Sequence, residues 1–176
     1  MSAAPQPAGN NYFDSLKLLQ FQRLMKKRFQ FKLFLFMKLP AAWWAGLRLI
    51  YLDDHACAAA VPYKWLTQNP FRSTYFACLS MAAELSTGAL AMMYSRAAIN
   101  PVSMLVTRLE VDFLKKATSL TTFTCNEGDS IRTAIAKAIA TGEAQQVEVM
   151  TIGQSENAEL VAQCRITWSF KAKMKS

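Results

Sequence analysis

Hydrophobic periodicity changes several times along the 176-residue chain. From Tyr12 to Met37, Leu and Phe recur among Lys and Arg at spacings that predict one or two helices, although Phe29, Phe31, Leu33 and Leu35 also alternate with period two. Pro40 breaks this pattern, and Trp43 and Trp44 follow at a corner rich in Ala and Gly. Leu47, Leu49 and Tyr51 alternate with Arg48, Ile50 and Leu52, which predicts a strand. Asp53-Asp54-His55 reads as a turn, and Ala56 to Tyr63 as a returning strand, so the pair is a hairpin. Asn69-Pro70 precedes a long apolar helix of about 25 residues that must end before Asn100-Pro101.

Beyond Pro101 the period becomes two. Leu105, Thr107, Leu109, Val111 and Phe113 share one expected face, and Arg108, Glu110 and Asp112 the other. Leu120 to Thr124 fits a paired strand. Asp129 or Ser130 is placed to cap a short helix carrying Ile131, Ala134, Ile135, Ala138 and Ile139. Val147, Val149 and Thr151 begin another strand, Gly153 to Asn157 a turn, and Leu160 to Phe170 the most regular alternation of all. One long helix amid mostly strands, without repeated βαβ units, predicts an α+β domain in which an antiparallel sheet curls around a central helix. A helix so placed must be apolar on nearly every side, and Ala77, Ser80, Ala82, Ala83, Gly88 and Ala89 would let the sheet approach closely. Residues 1–38 read as a flexible tail at 1–11 and basic N-terminal helices, and residues 39–176 as the main domain.

Composition narrows the function classes. At 52% hydrophobic and 18% charged residues, the chain is too apolar to be disordered over most of its length. One His and four scattered cysteines (Cys57, Cys78, Cys125, Cys164) argue against a zinc ribbon or a Cys-x-x-Cys redox pair, and the cysteine usage fits a reducing cytoplasm. No cofactor or metal is expected: neither a P-loop nor a dinucleotide fingerprint occurs, and only 6 Gly exist to build one. The net charge of +8 is concentrated near the N-terminus. Residues 1–50 hold eight Lys and Arg against the single acid Asp14, whereas residues 51–176 are nearly balanced. That segment suits an anionic membrane surface or a phosphorylated ligand, and no nucleic-acid recognition motif accompanies it. Ser73 to Ser95 has a single charge, as a transmembrane span would, yet its Ala, Ser, Thr and Gly content favours a buried helix. No secretory signal is expected at the N-terminus.

The single charge in that helix is Glu84. A carboxylate among apolar side chains either points to a solvent-filled gap or pairs with an Arg as a structural contact, or it has a raised pKa and serves as base or nucleophile. At the start of the same helix stands Asn69-Pro70-Phe71-Arg72-Ser73-Thr74. Ser73 or Thr74 is placed to cap it, and free N–H groups around Tyr75, Phe76 and Ala77 would stabilise an oxyanion. A carboxylate about ten residues along lies roughly 15 Å away, so a two-fold dimer with antiparallel central helices is the arrangement that joins the two.

These residues resemble the hotdog-fold acyl-CoA thioesterase superfamily. Its phenylacetyl-CoA thioesterase branch carries an Asn, then Thr-x-His-Gly-Gly at the helix start, then an acid inside the helix. Setting that Asn on Asn69 places the acid on Glu84, the cap on Ser73 or Thr74, and His-Gly-Gly on Tyr75-Phe76-Ala77. Val111 to Ala117 is similar to a strand of the form I-x-F-L-R-P-A, and Glu159-Leu160-Val161-Ala162 to the start of the last strand. A closer resemblance, over about residues 38–172, is to a bacterial hotdog family known only as a domain of unknown function. It rests on Pro40, Trp44 and Gly46, on Thr67-Gln68-Asn69-Pro70, and on Ala82 through Gly88.

The resemblance implies a hotdog fold and hydrolysis of an acyl-CoA or acyl-carrier-protein thioester in a homodimer or dimer of dimers. Glu84 would be base or nucleophile, and Asn69 would orient the water or the carboxylate. Thr74, Tyr75, Phe76 and Ala77 would form the oxyanion site, and Arg72, Lys115 and Lys116 would meet the CoA phosphates. Replacing His-Gly-Gly by Tyr-Phe-Ala removes the close backbone approach that glycine permits, which leaves a non-catalytic acyl- or lipid-binding protein as the alternative. In that reading the N-terminal helices cover an acyl tunnel or touch a membrane. The tryptophans and Met81, Met92, Met93 and Met104 read as packing, and Cys78 as a small buried hydrophobe.

Overall fold

A computed structural model describes residues 12–173, and the expected tail at 1–11 lies outside the described residues. Helix α1 (Ser15–Lys26) starts at Asp14, whose carboxylate accepts the Leu16 and Lys17 N–H groups at 2.9 and 3.3 Å. Extended Lys27 separates it from α2 (Arg28–Lys38). The helical period prevails over the alternating one: Phe31 and Leu35, four apart, are buried, while Phe29 and Leu33 face outward. Pro40 opens a third short helix, α3 (Pro40–Ala45), because the first helical turn has no use for the N–H that proline lacks. Gly46, at φ 77°, closes it in the left-handed conformation. Phe21, Met25, Phe31 and Leu35 belong to the same hydrophobic core as the remainder of the chain. Trp168 is buried as expected, but Trp44 and Trp65 are exposed.

Six strands form one antiparallel sheet: β1 (Arg48–Leu52), β2 (Cys57–Val61), β3 (Val102–Phe113), β4 (Thr121–Cys125), β5 (Gln145–Ser155) and β6 (Leu160–Ala172). Their order is β1-β2-β4-β5-β6-β3. The hairpin β1-β2 lies at one end, where α1 packs against β1. At the other end β3 pairs only with β6 and is an open edge. A register shift between Val106 and Arg108 breaks the face expected for β3. Met104, Val106 and Val111 pack on the core, whereas Leu105, Leu109 and Phe113 are exposed. Glu110 pairs with Arg108 on its own strand and with Arg165 across on β6.

The sheet wraps helix α4 (Phe76–Ala97). This helix is long and apolar enough to cross a membrane, but most of it is buried in the core. Small residues make that possible: Ala82, Ala83 and Ala91 of α4 and all five residues of β2 are buried. The helix stops at Ala98, two residues ahead of Asn100-Pro101. The N-terminal segment ties onto that end, with Asp14 N–H donating to Ala97 carbonyl and Ile99 N–H to Tyr12 carbonyl.

Helix α5 (Gly128–Thr141) packs on α4, β5 and β6. Neither Asp129 nor Ser130 caps it; the capping position is Glu127, without a side-chain bond. Asp129 is inside the first turn and pairs with His55 Nδ1 at 2.9 Å, while the Glu127 carboxylate accepts Met150 N–H at 2.7 Å. Gly153, expected in a turn, lies within β5. It has no side chain because the Phe123 ring occupies that space: a Cβ there would be 2.6 Å from the ring.

Candidate active site

Glu84 occupies the middle of α4 and is partly buried. One expected structural alternative, an ion pair with Arg, is absent: among the described residues its carboxylate has no ion pair and no hydrogen bond. Burial pushes its pKa above the ordinary carboxylate value, because no nearby cation repays the lost hydration. Its neighbours are one turn along. A Cβ at Gly88 would stand 2.6 Å from Glu84 Oε1 and 3.4 Å from the Trp168 ring. The Trp168 indole N–H donates to Thr87 Oγ1 at 3.0 Å, which fixes that ring beside the acid. Ser86 and Thr151 share a buried hydrogen bond of 2.8 Å, which ties the next position of the helix to β5.

At the helix start, neither Ser73 nor Thr74 acts as the cap. Tyr75 takes that position without a side-chain bond. The reason is the turn before it, which consumes the polar groups. Asn69 Oδ1 accepts the N–H groups of Phe71 and Ser73 at 3.0 and 3.2 Å and the Ser73 hydroxyl at 3.2 Å. Arg72, at φ 57°, completes the turn in the left-handed region and is exposed. Asn69 thus builds the loop through its oxygen and keeps only its Nδ2 for a ligand.

The backbone donors divide in two. Thr74 N–H donates to Ala117 carbonyl and Tyr75 N–H to Thr67 carbonyl, both at 2.7 Å. Phe76 and Ala77 N–H, the first two of the helix, have no acceptor among the described residues. Beside them is a cavity of about 410 Å³ lined by Asn69, Thr74, Phe76, Phe113, Lys115 and Lys116, among others. The Thr74 hydroxyl is buried on that wall and has no hydrogen-bond partner. Lys115 forms an ion pair with Glu159, and Lys116 is exposed without one. Tyr75, Phe76 and Phe113 stack edge to face around the mouth.

The helix start and Glu84 do not meet within one chain. From Phe76 to Glu84 the helix rises about 12 Å at 1.5 Å per residue. Asn69, Thr74, Phe76, Lys115 and Lys116 come together; Glu84 and Arg72 stand apart from them. Cys78, close to the start, is buried and its thiol is pushed up in pKa by that burial, as suits a packing residue. Gly88 and the Thr87–Trp168 bond are the parts that sequence reasoning did not assign to the site. Their signal was the spacing Glu84-x-x-x-Gly88, which puts both on one helix face.

Residues 27–170 match the family described as Domain of unknown function (DUF4442), and the chain belongs to that family. Solved structures share its fold at low identity. A protein of unknown function from Pseudomonas aeruginosa described as a probable thioesterase superposes with a TM-score of 0.68 at 18% identity, covering 88% of this chain and 95% of its own. A protein of unknown function from Chlorobaculum tepidum gives 0.72 at 11%, covering 86% and 96%. A thioesterase from Haemophilus influenzae gives 0.60 at 15%, covering 81% and 90%. The chain therefore has the hotdog fold, with an N-terminal helical extension. Among curated proteins nothing matches it.

Proposed function

We propose that this member of the DUF4442 family is a thioesterase that hydrolyses an acyl-CoA or acyl-carrier-protein thioester at a site shared by two copies of the chain. The observation that carries the reading is Glu84: an ionisable group without a partner, at the centre of an otherwise apolar helix, with its pKa raised. An ion-paired structural acid would have a partner to repay its lost hydration, and Glu84 has none among the described residues. An acid kept unpaired and poised nearer neutrality is a stronger base for the same cost in burial.

In the proposed reaction Glu84 takes a proton from water as the water oxygen attacks the thioester carbonyl. Negative charge gathers on the carbonyl oxygen, where the Phe76 and Ala77 N–H groups of a second copy are available to hold it. The carbon–sulfur bond then breaks, and the proton held by Glu84 passes to the leaving thiolate. Asn69 Nδ2 and the Thr74 hydroxyl are the remaining polar groups for the acyl carbonyl or water, and Lys116, with Lys115 beside it, faces the phosphates of the carrier. The open edge of β3, with Leu105 and Leu109 exposed, is the surface that supports pairing of two copies.

A second reading is favoured by the Tyr75-Phe76-Phe113 cluster, which stands where small residues would admit a thioester. In it the cavity binds an acyl group without turnover. Release of free thiol from acyl-CoAs of several chain lengths separates the two. Thioesterase action predicts turnover that falls by about a hundredfold or more in Glu84→Gln. Saturable binding with no thiol release at any chain length overturns it in favour of the second reading.

A further inference from the structure

We propose that the groove between α2 and β1 binds the headgroups of an anionic phospholipid bilayer. The groove contains a cavity of about 560 Å³ whose wall carries four cations: Arg28 and Lys32 from α2, Arg48 from β1, and Lys64 from the segment after β2. A second cavity of about 300 Å³ continues along α2 and β1, again beside Arg28, Lys32 and Arg48, and adds Lys26. No acid lines either one. Lys64 Nζ donates to Trp44 carbonyl at 3.0 Å, which holds it in place. Arg28, Lys32 and Arg48 have no ion pair among the described residues. Charges of one sign crowded around a cavity repel each other, and an anion relieves that.

The second observation is apolar. Helix α2 buries Phe31 and Leu35 and presents Phe29, Leu33, Phe36 and Met37 to the outside at i, i+4, i+7 and i+8 spacing. Arg28 and Lys32 fall between those two stripes around the helix. Exposed Trp44 stands at the same groove. An apolar stripe flanked by cations is what an interfacial helix presents to a membrane: hydrocarbon below, headgroups alongside.

Other occupants fit one half of the surface only. A nucleic acid would neutralise the cations and leave Phe29, Leu33, Phe36 and Met37 in water. A second copy of the chain would cover the apolar stripe but bring like charges face to face. The bilayer satisfies both. The groove shares no lining residue with the cavity at the start of α4, so the inference stands apart from the thioesterase reading.

Flotation of the full-length protein with vesicles tests this. One set is phosphatidylcholine alone, and the other carries about a third phosphatidylglycerol. The expected result is flotation with the anionic vesicles only, lost as salt rises from about 0.05 M to about 0.5 M. Lys32→Glu with Arg48→Glu, and separately Phe29→Ser with Phe36→Ser, should each weaken association about tenfold or more. All four side chains are exposed, and unchanged thermal melts show that the variants fold; where the Glu pair melts early, Lys32→Gln with Arg48→Gln replaces it. Four outcomes overturn the proposal: protein left unfloated with anionic vesicles, equal flotation with neutral ones, binding that survives both pairs, or capture of a single-stranded oligonucleotide without any vesicle binding.

Discussion

Gly88 makes room for Glu84: the carboxylate lies where a side chain one turn along would begin, with Oε1 2.6 Å from the position of a Cβ. A flexible acid could leave that space, so an added methyl group would shift the carboxylate rather than break the helix. Gly88→Ala is expected to retain the fold, with stability within about 1 kcal/mol because helix propensity partly offsets the crowding. Thiol release should fall about tenfold or more, since a general base displaced by an ångström loses its alignment. Thermal unfolding and acyl-CoA turnover measured on one preparation check both halves. Undiminished turnover would detach Gly88 from the site.

The ring beside the acid has its own anchor. Thr87→Val keeps the shape of the side chain but removes the acceptor for the Trp168 indole N–H, which is buried. An unsatisfied buried donor costs about 1–3 kcal/mol. Urea titration should show the midpoint fall with an unchanged slope, and Thr87→Ser should recover most of it.

Asn69 has two chemical halves that substitution can separate. Its Oδ1 accepts three hydrogen bonds within the turn, and its Nδ2 has no partner among the described residues. Asn69→Ala is expected to cost about 1–2 kcal/mol, as lost caps do, and to lower turnover through disorder of the helix start. Asn69→Asp retains the acceptor, so its stability should stay near that of the parent. A drop in kcat for Asn69→Asp then reports the Nδ2 donor, and an unchanged kcat confines Asn69 to building the loop.

Much of this was legible in the sequence, for identifiable reasons. The central helix announced itself because a rod wrapped on most sides is apolar on most sides, and β6 because its two faces differ in polarity over thirteen residues. Glu84 stood out as the lone charge between Ser73 and Ser95. What stayed hidden depends on long-range placement. The bulge between Val106 and Arg108 brings Val111 onto the core face that Met104 and Val106 share and leaves Leu105 off it, and no local pattern encodes it. Ser73 looks like a helix cap by position, but Asn69, four residues earlier, engages its N–H and hydroxyl instead. Gly153 looks like a turn residue until the Phe123 ring on the neighbouring strand is in place. Tertiary placement for β3 and Gly153, and a turn closed four residues earlier for Ser73, outweigh a local preference of about 1 kcal/mol.

In the proposed arrangement the open edge of β3 is the contact between two copies. Leu105→Lys with Leu109→Lys places two like charges on the exposed residues of that strand, and both copies would bear them. Sedimentation equilibrium should shift from dimer to monomer, and thiol release should vanish with it, because Glu84 loses the donors supplied by the second copy. A variant that sediments as a monomer and still turns over would end the shared-site arrangement.

Glu84 also sets an opposition between stability and turnover that pH can expose. Its pKa is raised in the folded chain by burial, so the folded state keeps the proton to a higher pH than the unfolded state does. Between the ordinary carboxylate value and the raised one, the folded state binds more protons, and stability falls as pH rises through that window. Above it the loss is complete and constant. Glu84→Gln has no such charge, so the stability gained over the parent should be near zero below the ordinary carboxylate range, grow as pH rises through the window, and level off above the raised value. His55 moves the same way: beside Asp129 its pKa is raised, so its contribution is present at low pH and lost as pH rises. It is common to both proteins and cancels in the difference. Turnover should rise over the same window in which the parent loses stability, because the base works only when ionised. Urea unfolding of the pair across that range, set against the pH profile of kcat/KM, tests the coupling. A flat stability difference would mean that Glu84 titrates as an ordinary surface acid, and the proposed base would be lost.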